Sequence, residues 1–97
     1  MPNYVVLYKL TDQGAKNIKS TVKRAREAYA NNEQRGFTIH GIYWTQGQYD
    51  MVVVIDAPNE QAMLAGLLNI TGAGNVRSET MRAFTAEEME QALQKIE

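Results

Sequence analysis

The sequence predicts an α+β fold in the order strand-helix-strand-strand-helix-strand, with a four-stranded antiparallel sheet and one further helix at the C-terminus. Three observations carry that prediction. Runs rich in β-branched and aromatic residues alternate with segments of helical period. The first and third of those runs are the most apolar. Clusters of helix-starting and helix-stopping residues divide them, notably Thr11-Asp12-Gln13-Gly14 and Asp56-Ala57-Pro58-Asn59. In the split βαβ arrangement two crossovers put both helices on one face of the sheet, with the first and third strands central. Central strands should be apolar and edge strands mixed, as here.

Residues 3–10 alternate and are rich in Tyr and Val, which is strand chemistry. Thr11-Asp12-Gln13-Gly14 breaks the pattern and offers a hydroxyl and a carboxylate as helix N-caps. Ala15, Ile18, Val22, Ala25 and Tyr29 then form an amphipathic stripe that ends near Asn31-Asn32, with Ser20-Thr21 as a point of kinking or restart. Residues 37–46 return to strand composition. Gly47-Gln48 fits a two-residue type II′ hairpin loop. Met51-Val52-Val53-Val54-Ile55, the most continuous apolar run, reads as a central strand buried on both faces. Asn59 is placed to cap a helix with the stripe Met63, Leu67 and Ile70, closed by Gly72 and Gly74. Val76 to Phe84 forms a more polar fourth strand. Thr85 and Glu88 then stand at capping-box spacing, and Phe84 and Met89 at hydrophobic-staple spacing, before a helix carrying Met89, Leu93 and Ile96 on one side.

The 97 residues leave room for one hydrophobic core, so residues 1–97 are read as a single domain. A net charge of −1 argues against nucleic acid as the main partner, since phosphate binding needs a cationic surplus. There are no cysteines and one histidine, which excludes disulfides, thiolate catalysis and a multi-histidine metal site within one chain. No cofactor or metal is expected. The N-terminus lacks a basic leader and no apolar run spans a bilayer, so a cytoplasmic protein without membrane attachment is the expectation.

The sheet raises a further expectation. In the first strand Tyr4, Val6 and Tyr8 face one way and Val5 and Leu7 the other; in the third, Met51, Val53 and Ile55 oppose Val52 and Val54. Two helices cover one face, and the short last helix covers only part of the other. Burying a central Val or Ile is worth roughly 1.5–3 kcal/mol, and an open patch of several promotes aggregation. The simplest partner is a second copy packed sheet to sheet about a twofold axis, giving a homodimer or higher homo-oligomer.

Candidate site residues cluster around the hairpin. Asp50 begins a central strand beside a glycine turn, where it is a candidate base or amine-binding group; the competing reading has it bonding backbone amides or an arginine. Tyr43, Trp44 and Tyr49 suit an aromatic wall for a planar ligand and equally an oligomer interface. Arg82, with Arg77, is able to grip a carboxylate or phosphate, or to pair with Glu79 or Asp50. His40 is a candidate acid or base, or simply an edge-strand residue. A two-residue loop would put His40, Ile42 and Trp44 with Met51 and Val53, and Tyr43 with Asp50 and Val52; a bulge would reverse this. Lys16, Lys19, Lys23 and Arg26 read as a solvated helix face. Gly72-Ala73-Gly74-Asn75 follows a helix and precedes a strand, the wrong order for a phosphate loop.

Tyr43-Trp44-Thr45-Gln46-Gly47-Gln48-Tyr49-Asp50, then Gly74-Asn75-Val76-Arg77-Ser78-Glu79-Thr80 and Arg82-Ala83-Phe84-Thr85-Ala86-Glu87-Glu88-Met89, resemble the GYD-domain family. Tyr4-Val5-Val6-Leu7 and Thr11-Asp12-Gln13-Gly14 fit the same pattern, so the resemblance spans nearly the whole chain. It implies a ferredoxin-like domain of bacterial type, of the dimeric α/β-barrel kind, with no established biochemical activity. More distantly, Gly47-x-Tyr49-Asp50 with Val76 and Thr80 resembles the effector-binding module of Lrp/AsnC regulators, which dimerises and binds amino acids near subunit contacts; their DNA-binding half is missing here. The resulting expectation is a homo-oligomeric module for self-association or small-molecule binding, with a cavity between sheet and partner. The alternative, by fold analogy, is a small cofactor-free monooxygenase or isomerase.

Overall fold

A computed structural model describes all of residues 1–97. Strand β1 (Asn3–Leu10) leads into a short α1 (Asp12–Lys16), a 3-10 turn at Ile18–Ser20 and α2 (Thr21–Gln34). Strands β2 (Thr38–Trp44) and β3 (Met51–Asp56) form a hairpin, followed by α3 (Glu60–Gly72), β4 (Val76–Ala83) and α4 (Ala86–Leu93). The strands lie in the order β2-β3-β1-β4 and all three pairings are antiparallel. This is the ferredoxin-like arrangement, with the two most apolar strands at the centre.

The core lies on the helix-covered face. Tyr4, Val6 and Tyr8 of β1 and Met51, Val53 and Ile55 of β3 pack there with Ala25 and Tyr29 of α2, Met63 of α3, Phe37 and Ala57. Period-two alternation along each strand dictates the choice, since every second side chain points to the helices.

The first helical segment departs from the single stripe expected. Thr11 caps α1 by accepting the Gly14 N–H, but the helix stops at Lys16 and three residues of 3-10 geometry follow. Tighter winding there turns the later residues out of phase with the earlier ones. Ala15, Ile18 and Val22 are consequently exposed, while Gly14, Ala25, Tyr29 and Asn32 are buried. Gly14 is required by contact: a Cβ at that position would collide with the carbonyl oxygen of Asn75. The Thr11 N–H donates to that same oxygen at 3.0 Å. The Gln13 amide donates to Ala73 O and Asn75 Oδ1, each at 3.0 Å. The start of α1 is thus tied to the loop before β4.

The β2-β3 hairpin keeps the parity of a two-residue loop, with Trp44 opposite Met51 and Ile42 opposite Val53, although the ladder opens earlier. The Thr45 N–H donates to Asp50 O at 2.9 Å and the Thr45 hydroxyl to Tyr49 O at 2.7 Å, leaving Gln46 to Tyr49 as the loop. Gly47 takes a φ of 112°. A bulge between Ile39 and Gly41 shifts the register and moves His40 away from Ile42 and Trp44. Its imidazole Nε2 meets Asp56 Oδ2 at 2.9 Å instead.

α4 carries the capping box: the Thr85 hydroxyl accepts the Glu88 N–H and the Glu88 carboxylate accepts the Thr85 N–H. None of its residues is buried. The chain has a radius of gyration of 14.7 Å, against about 12.5 Å for a compact chain of this length. No helix is long and apolar enough to cross a membrane.

Candidate functional site

Two surfaces of this fold stand open. The first is a cleft of about 580 Å³ on the helix-covered face, between α2 and the C-terminal part of α3. Its floor is Tyr8, Leu10 and Met51; α2 contributes Ala25, Ala28 and Tyr29; Ile70 and Val76 lie across from them. Trp44 stands at one side, its indole N–H donating to the Thr21 hydroxyl at 3.1 Å. The cleft exists because α2 and α3 both pack on the sheet but stand apart from one another over the end of β1.

At its base the Tyr8 and Tyr29 hydroxyls meet at 2.7 Å. The two residues are 1% and 4% exposed, so their phenols are bonded to each other in a nearly dry setting. Burial raises the pKa of both above the ordinary phenol value, and for Tyr29 the neighbouring phenol adds to the rise. Both stay neutral at physiological pH. Asn32 is buried and lines the same cleft.

The sheet separates the five ligand-site candidates. Trp44 and Asp50 line the cleft. The Asp50 carboxylate accepts the Leu10 N–H at 2.8 Å, and the Asp50 N–H donates to Tyr8 O at 2.8 Å, so the residue extends the β1-β3 ladder. Tyr43 is exposed on the opposite face, where its ring lies across Gly41; a Cβ at Gly41 would come within 2.6 Å of it. Tyr49 donates its hydroxyl to Glu79, which raises its pKa, and Lys9 sits 5.3 Å from its ring centre. Arg82 lies at the far end of β4, over the rings of Phe84 and Tyr4 and bonded to Asn3 O at 3.1 Å. Arg77 is opposite Lys9 on that uncovered side.

Sequence reasoning missed Tyr8, Tyr29 and Asn32 as a group. Tyr8 read as one of the strand's alternating residues and Tyr29 as part of the helix stripe. The available signal was their polarity: a buried Tyr usually finds a hydrogen-bond partner, so two on facing apolar stripes suggest each other.

The second surface is the uncovered face of the sheet. The strand registers align two rows across it, one of Met81, Val5, Val54 and Gly41, the next of Glu79, Leu7, Val52 and Tyr43. Lys9 and Arg77 border this patch on one side. Asn3, Asp56 and Thr38 border it on the other. Tyr43 and Met81 are 59% and 45% exposed, and Val5, Leu7, Val52 and Val54 are half-buried. An apolar centre with a polar rim is the anatomy of a protein interface. At its border, Asp56 Oδ1 is buried and has no hydrogen-bond partner.

Together these features define a small ferredoxin-like domain with an open apolar sheet face and a cleft under its helices. The chain belongs to the GYD domain family, whose model matches residues 4–93. It is 29% identical over 85 residues, 87% of this chain and 90% of the relative, to a Thermus thermophilus protein named glutamine synthetase and cystathionine beta-lyase binding protein. No solved structure matches the chain.

Proposed function

We propose that the protein is a protein-binding module that works as a homodimer, with the open sheet faces of two copies packed together. The observation that carries this reading is the apolar patch centred on Val5, Leu7, Val52 and Val54, which no element of the single chain covers. The chain exposes 6725 Å², against about 5600 Å² for a compact monomer of its 10.9 kDa mass. The surplus of about 1100 Å² exceeds the ~800 Å² that each partner buries in a standard interface. Part of that surface is the exposed stripe of α4, Met89 and Leu93 with Ile96 just beyond, which is free to reach over the second copy. The relative's name supports protein partners beyond the chain itself, since it identifies a protein that binds two enzymes. This chain's own docking partners are of the same kind in this reading.

The test is sedimentation of the full chain at low concentration. The wild type is expected to run as a dimer. Val54→Lys, which places a charge at the patch centre without touching the helix-side core, is expected to run as a folded monomer. A wild-type chain that sediments as a stable monomer overturns the proposal.

A further inference from the structure

We propose that the cleft between α2 and α3 binds an uncharged, mostly apolar ring compound carrying one hydroxyl or carbonyl group. All of its lining residues come from one chain, so the inference stands independently of dimerisation. The volume of about 580 Å³ lies within the range of small-molecule sites and suits a ligand of roughly two or three fused rings.

The polar groups choose the chemistry. Two phenols bonded to one another use a single hydrogen, and no other protein acceptor or donor meets either oxygen. One O–H at the base of the cleft is therefore left to donate, and an oxygen is left to accept. Asn32, 6% exposed, lines the same space and brings an amide donor and acceptor to it. A phenol pair with hydrogen-bonding capacity to spare, and a neutral amide lining the same apolar cleft, match a single hydroxyl or carbonyl oxygen.

The one cation of the lining is poorly placed to hold an anion. The Arg24 guanidinium is turned to Asn17 O at 2.6 Å and to Ser20 Oγ at 2.5 Å. Asp50 has one carboxylate oxygen on the Leu10 N–H. Glu27 and Asp50 outnumber the one cation in the lining, which disfavours an anionic ligand.

The probe is 2-naphthol, followed by calorimetry on the full chain, with naphthalene-2-carboxylate and naphthylmethylammonium as charged counterparts. Saturable binding of 2-naphthol at one site per chain is expected, with both ions weaker. Tyr8→Phe/Tyr29→Phe removes the hydroxyls as a pair, without stranding one, and is expected to weaken binding about tenfold. Ala28→Trp fills the cleft and is expected to abolish binding. Should that variant fail to fold, nuclear Overhauser contacts in the wild type locate the probe: contacts to Trp44 and Ala25 support the cleft. Contacts to Leu7 and Val54 instead, equal binding by either ion, or no 2-naphthol binding to folded wild type overturns the inference.

Discussion

At the scale of single residues, the hydroxyl pair of Tyr8 and Tyr29 ties the cleft to the stability of the core. The two phenols share one hydrogen bond in a place largely screened from water. Removing one partner leaves the other stranded and costs about 1–3 kcal/mol, whereas replacing both by apolar rings of the same shape is close to neutral. Tyr29→Phe alone is therefore expected to be less stable than Tyr8→Phe/Tyr29→Phe, measured by urea unfolding. The same pair makes stability depend on alkaline pH. The fold holds both phenols above their ordinary pKa, chiefly by burial, so folded protein binds their protons more tightly than unfolded protein does. Their contribution is complete below about pH 10 and is lost as pH rises beyond it. Phenolate absorbance should show two tyrosines ionising only as the circular dichroism signal of the fold disappears. Early ionisation of both in folded protein would contradict the geometry.

At the scale of elements, α4 shows how much a local signal can specify. Its capping box was legible because every participating group lies within four residues, and the structure forms both bonds. The Thr85 N–H, with smaller help from the Thr85 hydroxyl and Arg82, holds Glu88 below its ordinary pKa of 4.5. A depressed carboxylate contributes above its unfolded value, and the contribution is lost as pH falls through the folded one. The protection of the α4 amides, measured against their intrinsic exchange rate at each pH, should therefore fall on acidification below about pH 4, ahead of protection in the sheet. Thr85→Ala, which removes about 1 kcal/mol of capping, should lower that protection at neutral pH. Longer-range features were less legible. The strand order and the central places of β1 and β3 followed from their apolar content. The 3-10 turn that left Ile18 and Val22 outside the core, and the bulge that paired His40 with Asp56, depend on contacts that no local spacing encodes. The closeness of Gly14 to Asn75 joins positions far apart in the chain, so the glycine read only as a pattern break. The cleft was the hardest to foresee, because it arises from the separation of two helices whose stripes were each partly visible.

At the scale of the whole molecule, two apolar surfaces stand open, the sheet patch and the stripe of α4. The stripe residues Met89, Leu93 and Ile96 are 53%, 50% and 71% exposed, although Met89 and Leu93 stand one helical turn apart on one face. If α4 of each copy lies against the sheet of the other, Leu93 and Val54 share an interface although they do not share a core. Val54→Lys and Leu93→Glu should then each weaken the dimer, and the double variant should bind better than the sum of the two losses, since opposite charges replace an apolar contact. Sedimentation equilibrium measures all four dissociation constants. Independent, additive losses would mean that α4 packs elsewhere in the dimer and that the sheet faces meet without it. The melting temperature adds a second reading of the same equilibrium, because a fold completed by its partner gains stability as concentration rises. For the wild type it should climb with protein concentration, and for Val54→Lys it should stay flat.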